Sequence, residues 1–243
     1  MRRLVLFDID STLIDARGAG GRALLAAVAD AYGVSGELDG YSFHGRTDRQ
    51  IVRELAGMWG VPPVEVDAAM DRCLADYVER LKGELAGGRV IVLPGVPELL
   101  SALAGDSRVT LGLLTGNVER GARLKLEPTG LSWFFEFGAF GSDAERRADL
   151  ATLAVARARV HAGVPFSGRE VIVVGDTPAD VTCGAHLGVS TIAVMTGRHG
   201  RAELAEAGAD HIVADLSQWR RIQRIIVDER MAPSGPTDER EVR

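Results

Sequence analysis

Apolar positions fall along this chain in two patterns. In one, short and nearly unbroken apolar runs recur: LVLF at 4–7, VTLGLL at 109–114, VIVV at 171–174, STIAV at 190–194 and HIVA at 211–214. Runs without polar alternation predict strands buried on both faces, the habit of a parallel sheet. In the other, apolar residues return every three or four positions. GVPELLSALAG (95–105), VERGARLKLEPTG (118–130) and ADLATLAVARARVHAG (148–163) read as helices, each closed by a glycine. Strand and helix alternate here, which predicts a doubly wound, Rossmann-like α/β fold with a parallel sheet.

Residues 16–89 break the alternation, with no strand-like run. GRALLAAVADAYG (21–33), DRQIVRELAGMWG (48–60) and VEVDAAMDRCLADYVERLKGEL (64–85) read as helices. In the last, Val66, Met70, Cys73, Tyr77, Leu81 and Leu85 form one apolar face. The expected organisation is an α/β core of residues 1–15 and 90–227 with an α-helical domain inserted at 16–89. The polar, Pro- and Gly-bearing segment 228–243 is expected to be a disordered tail.

Composition then removes several function classes. Hydrophobic residues make up 46% of the 243 and charged ones 26%, a globular balance. A formal charge of −6 argues against nucleic acid as a partner, since that needs a basic face. No stretch approaches the roughly 20 apolar residues of a membrane span, so no membrane partner is expected. The opening MRRLVLFDID is basic, but Asp8 cuts its apolar run before a signal-peptide core is complete. Cys73 and Cys183 cannot support a disulfide framework. The expectation is a soluble, cytoplasmic protein acting on a small molecule.

The candidate chemistry sits where strands end. LVLF runs directly into Asp8 and Asp10, two acids that share a face if the strand continues. Such a pair repels itself and is costly to desolvate, so a positive partner or a reaction should offset it. LLTGN places Thr115, Gly116 and Asn117 after the second run, and VVGDTPAD places Asp176 and Asp180 after the third. FGSDAERRADL places Asp143, Arg146 and Arg147 just before a helix. In open α/β sheets ligands gather at the carboxyl ends of strands. Five acids, a threonine, an asparagine and two arginines are therefore expected to converge on one crevice.

DIDSTL, LLTGN and GDTPAD, in this order and with a helical insertion after the first, resemble the haloacid dehalogenase superfamily. Within it the chain is most similar to phosphoglycolate-phosphatase-like phosphatases with a helical cap, over roughly residues 4–215. The resemblance implies a Mg²⁺-dependent phosphatase of small-molecule phosphomonoesters, of phosphoglycolate or sugar-phosphate type, acting through an aspartyl-phosphate. It makes Asp8 the nucleophile and Asp10 the acid that protonates the leaving alcohol and then deprotonates water. Asp8, Asp176 and the Asp10 carbonyl would hold the Mg²⁺, with Asp180 behind them. Thr115, with Gly116 and Asn117, would hold phosphate oxygens at a helix N-terminus. Arg46, in FHGRTD, would face a substrate carboxylate from the cap.

The chain departs from the family pattern twice. Ser11 stands where the family usually has glycine, and a turn of positive φ would strain it. The basic residue of the third motif is usually lysine, yet the chain has only Lys82 and Lys125. Position favours Arg147, then Arg146. Lys125 ranks third, because ten residues beyond Thr115 puts it about 15 Å along a helix.

Other readings compete. Asp8 and Asp10 can be turn residues, Thr115 and Asp180 helix-terminal caps, Arg147 a solvated charge, and Arg46 a partner of Asp48. A phosphoglucomutase-like mutase shares the whole motif set. GAGGRA (18–23) fits a dinucleotide fingerprint, the basis for a non-catalytic nucleotide-binding module, but no strand directly precedes it. His44, His161, His186, His199 and His211 show no metal-site spacing. Tyr32, Trp59 and Tyr77 are expected to pack the helical insertion, and Cys183 to pack its helix.

Overall fold

The computed structural model describes residues 2–87 and 90–228. The expected disordered tail therefore lies, from residue 229 onward, outside the described residues. A six-stranded sheet forms the core, built from β1 (Arg3–Phe7), β4 (Val109–Leu114), β5 (Gly138–Ala139), β6 (Val171–Gly175), β7 (Ser190–Val194) and β8 (His211–Val213). Its order is β5-β4-β1-β6-β7-β8, and every neighbouring pair is parallel.

β1 lies between β4 and β6, and residues Leu4 to Phe7 have no exposed surface. Alternate side chains enter different layers. Val5, Phe7, Leu113, Ile172 and Val174 pack with α4 (Val96–Ala104) and α9 (Trp219–Val227) on one face. Leu4, Leu6, Leu114, Val171 and Val173 pack on the other with Leu150, Ala154 and Ala158 of α6 (Arg147–Ala162). Burial on both faces explains why these strands read as unbroken apolar runs. Helix α9 was not foreseen, although Ile222, Ile225 and Ile226 mark its buried stripe.

Between β1 and β4 the chain forms a helical module of α1 (Ala19–Tyr32), α2 (Asp48–Met58) and α3 (Pro63–Gly87). It has its own apolar centre, with Leu24, Val28, Val52, Leu55, Met70, Tyr77 and Leu81 buried together. The chain enters and leaves it through a two-stranded antiparallel pair, β2 (Ile14–Asp15) and β3 (Ile91–Val92). The glycines of GAGGRA open α1 behind this short antiparallel strand rather than behind a strand of the parallel sheet. That is the wrong setting for a dinucleotide turn.

Candidate active site

Strand register brings the site together. Phe7 pairs with Leu113 on one side and Val174 on the other, and the Asp8 amide donates to the Val174 carbonyl at 3.0 Å. Asp8, Thr115 and Asp176 therefore leave the sheet at nearly one level, at its carboxyl edge. The chain diverges to opposite sides of β1 here, which opens the crevice. It measures about 370 Å³ and is bounded on its far side by the helical module.

One end of the crevice is deep and acidic. Asp8, Asp176 and Asp180 are buried, and one oxygen of each lies within 4.8 Å of the others. Arg147 enters among them. Its Nη2 donates to Asp8 Oδ1 at 2.9 Å, to the Leu114 carbonyl at 3.3 Å and to Asp180 Oδ1. Asp180 is otherwise occupied by its own helix, α7 (Pro178–Cys183). Its Oδ2 accepts from the Thr177 amide at 3.0 Å and the Thr177 hydroxyl at 2.7 Å. Asp176 is freer: among the described residues its Oδ1 meets only the Thr12 hydroxyl, at 3.5 Å, and its buried Oδ2 has no partner. Burial pushes the Asp176 carboxyl up to about 9, with Asp180 and Asp8 adding to it. Burial likewise lifts Asp8 to about 6 against the pull of Arg147. Such a group of carboxylates fits a hard divalent cation with oxygen ligands, and the orphaned Asp176 oxygen supplies a free ligand atom.

Arg147 and its neighbour Arg146 meet different fates at the start of α6. Arg147 is the first residue of α6 and turns inward, while Arg146 caps the helix, is 78% exposed and reaches only Asp149. Asp143 does not join the crevice. It accepts from the Phe140 amide at 2.9 Å and from both terminal nitrogens of Arg157, and so fastens a loop to α6.

The other end holds Asp10, whose side chain is 40% exposed. Its Oδ2 accepts from Asn117 Nδ2 at 2.8 Å and from Lys125 Nζ at 2.7 Å. Burial would raise Asp10, but the Lys125 ammonium and the Asn117 amide outweigh it and hold the carboxyl below its ordinary value. Asn117 Nδ2 also reaches Thr115 Oγ1 at 2.8 Å, so the Thr115 hydroxyl accepts from its neighbour and keeps its own proton to give.

Lys125 was expected about 15 Å away and lies in the crevice instead. The helix that carries it, α5 (Glu119–Leu126), begins only at Glu119, so the lysine is six residues along it, about 9 Å of rise. Its side chain leans back toward the helix start, as helical side chains do. The helix N-terminus itself is less available than expected. The Val118 amide is taken by Asp48 Oδ2 at 2.7 Å and the Glu119 amide by Ser142 Oγ at 3.2 Å. The Gly116 amide has no protein partner among the described residues.

The helical module presses directly on this loop. The Asp48 amide donates to the Gly116 carbonyl at 2.8 Å, and the Thr47 hydroxyl to the Glu145 carbonyl at 2.8 Å. Gly116 is glycine for want of space: a Cβ there would lie 2.1 Å from the Arg46 carbonyl. Arg46 lines the crevice, but its charge is spent on Glu54, with Nε 2.7 Å from Oε2, and not on Asp48. It also donates to the Ser42 carbonyl at 2.7 Å and lies 5.2 Å over the Tyr41 ring. Tyr77 does more than pack the module. Its hydroxyl meets the buried Asp48, which burial pushes up to about 6. Ser11 adopts φ 61°, the left-handed region, and its carbonyl is held by the Thr196 hydroxyl.

Comparison with known proteins agrees with this architecture. The sequence model of the haloacid dehalogenase-like hydrolases matches residues 5–194. "Probable phosphatase IndB" of Dickeya dadantii is 28% identical over 233 residues, covering 90% of this chain and 92% of that protein. Among solved structures, a predicted phosphatase from Clostridium acetobutylicum superposes with a TM-score of 0.70 at 19% identity, covering 91% of this chain and 98% of its own. A β-phosphoglucomutase from Clostridium difficile gives 0.69 at 16% identity, covering 92% and 96%.

Proposed function

The chain belongs to the haloacid dehalogenase-like hydrolases, and on that premise we propose that it is a Mg²⁺-dependent phosphatase of small phosphomonoesters. The observation that carries the phosphatase reading is Asp10. A halide leaves without a proton, so a dehalogenase has no use for a second carboxylate facing the crevice beside the nucleophile. An alkoxide leaving group needs that proton.

In this reading Asp8 attacks phosphorus and forms an aspartyl-phosphate while Asp10 protonates the departing alcohol. Asp10, now a carboxylate, then takes a proton from the water that releases phosphate. Arg147 holds Asp8 in line and balances charge, and Asp180 holds Arg147. The Thr115 hydroxyl and the Gly116 amide bind phosphate oxygens, with Asn117 orienting Thr115. Asp8, Asp176 and the Asp10 carbonyl would hold the Mg²⁺, and the ion would offset the negative charge of phosphate and carboxylates. Residues 16–89 act as a cap over the core of 1–15 and 90–227.

The lining also bears on the substrate. Its cations are committed: Arg147 to Asp8 and Asp180, Lys125 to Asp10, Arg46 to Glu54. Burial and the nearby Arg198 hold His44 below its ordinary value, so it is neutral at pH 7. Asp15 and Asp48 face the same space. That setting favours an uncharged, hydroxyl-bearing group such as a sugar over the carboxylate of phosphoglycolate.

The test is phosphate release across small phosphoesters with Mg²⁺. Chelation by EDTA should reduce turnover by roughly a hundredfold or more, and added Mg²⁺ should restore it. Undiminished turnover after EDTA and exhaustive dialysis would sink the metal dependence. An isomeric phosphoester in place of free phosphate would make the enzyme a mutase.

A further inference from the structure

Asp10 has one oxygen fixed and one open. Asn117 and Lys125 both donate to Oδ2, at 2.8 and 2.7 Å, and Lys125 also donates to Asn117 Oδ1 at 2.6 Å. This closed triangle locks the carboxylate about its last bond. Oδ1 receives no protein donor among the described residues and is the oxygen left for a substrate. Lys125 is only 4% exposed, and lysine is rarely buried this far without a fixed partner.

The ammonium also stands at the seam between core and helical module. Lys125 is rooted in α5 of the core, yet its Nζ reaches α1: a Cβ on Gly20 would lie 2.9 Å from Nζ and 3.7 Å from the Tyr77 hydroxyl. Tyr77 bonds Asp48, and Asp48 holds the Val118 amide at the start of the lysine's own helix. Removal of the module would leave this ammonium open to water on that side.

We propose that Lys125 is a positioning residue for Asp10, holding Oδ2 so that Oδ1 faces the leaving oxygen, and that docking of the helical module against Lys125 keeps it there. The inference rests on the phosphatase reading. In the first step the Asp8 oxygen bonds to phosphorus, the bond from phosphorus to the leaving oxygen breaks, and a proton that Asp10 takes up from solvent at Oδ1 as the phosphate dianion binds passes to that oxygen. Only the proton transfer depends on where Oδ1 points. Loss of Lys125 should therefore injure esters with poor leaving groups and spare those with good ones.

The experiment compares kcat/KM for an alkyl phosphate and p-nitrophenyl phosphate in the full chain with Mg²⁺. Lys125→Met removes the ammonium at nearly constant size. Gly20→Ala removes no group but crowds Nζ, at a helical position where alanine is favoured. Lys125→Met should lose roughly tenfold or more on the alkyl ester and little on the aryl ester. Gly20→Ala should shift the ratio the same way by less. In an Asp10→Asn background, Lys125→Met should cost nothing further on the alkyl ester. Equal losses on both esters, or additive losses with Asp10→Asn, would overturn the inference while leaving the phosphatase reading intact. If Lys125→Met does not fold, an unchanged ratio in Gly20→Ala overturns it alone. A wild-type chain that releases no phosphate from either ester overturns both.

Discussion

Asp8 and Asp10 stand two residues apart at one strand end, and the protein surrounds them with opposite conditions. Asp8 is buried among Asp176 and Asp180, with Arg147 as its cation, and its carboxyl is lifted to about 6 by that burial. Asp10 is open to the crevice, and Lys125 and Asn117 overcome its burial to hold it low. The first end has more carboxylates than cations and calls for an added one. The second carries its own, delivered by a helix of the core and covered by the helical module. These surroundings alone order the proton affinities against the proposed roles, so the roles depend on what binds: a cation at the deep end would ionise Asp8, and a phosphate dianion beside Asp10 would raise its affinity for the proton it gives.

The comparison breaks most readily at the carboxylates themselves. Asp8→Asn should abolish both turnover and any trapped phosphoenzyme, a loss of roughly four orders of magnitude in kcat. Asp10→Asn should leave p-nitrophenyl phosphate far less affected than an alkyl phosphate, because a phenolate departs without help. Matching losses for the two variants on both esters would erase the distinction drawn between the two ends.

The cation of the deep end gives the next effect. Arg147→Ala should lower kcat/KM by about a hundredfold, while Arg146→Ala should stay near wild type. Because Arg147→Ala also leaves Asp8 and Asp180 buried and unpaired, a lower melting temperature should accompany it. Arg147→Lys keeps the charge, but all three contacts are made by Nη2, about one bond farther from the backbone than a lysine Nζ reaches, so the ammonium would fall short of Asp8, Asp180 and the Leu114 carbonyl together. It should recover stability better than rate. Full recovery of rate would reduce Arg147 to a counter-charge without geometric demand.

Much of the fold was legible because its signal is local and one-dimensional. A strand segment buried on both faces is apolar almost throughout, as residues 4–7 of β1, 111–114 of β4, 171–174 of β6 and 192–194 of β7 are. β5 left no such trace, since Gly138 and Ala139 are too short a run to register. At the site, Asp8, Thr115, Arg147, Asp176 and Asp180 meet in one crevice, and all lie at strand ends or helix starts that the pattern locates. What stayed illegible was reach and prior commitment. The length of a lysine side chain and its backward lean brought Lys125 to Asp10 from a position that axial arithmetic excluded. Glu54 claimed Arg46, and Arg157 claimed Asp143, from elements whose packing no spacing rule foretells. Tyr77 follows the apolar stripe of α3 faithfully, so nothing in its position announces that its hydroxyl meets Asp48 at the seam.

Asp48 supplies the smallest test, and it addresses the seam on the Asp10 side. Burial pushes its carboxyl up to about 6, against the Lys125 ammonium and the Val118 amide, from an ordinary value of 3.8. A carboxyl raised in this way binds its proton more tightly in the folded chain than in the unfolded one. Between pH of about 4 and 6 the folded state thus holds more protons, so this group's contribution to stability falls as pH rises through that window and is level above it. Asp48→Asn removes the ionisation yet keeps an oxygen for the Val118 amide and the Tyr77 hydroxyl. Relative to wild type, the variant should be favoured most above pH 6 and lose that advantage as pH falls toward 4, a change on the order of 2 kcal/mol. Melting temperatures of both proteins from pH 4 to 8 would show it as converging curves. Curves separated by a constant offset would mean that Asp48 keeps its ordinary affinity for protons. The contact between module and core would then be wetter than its burial implies, and Lys125 would lose the dry setting that fixes it on Asp10.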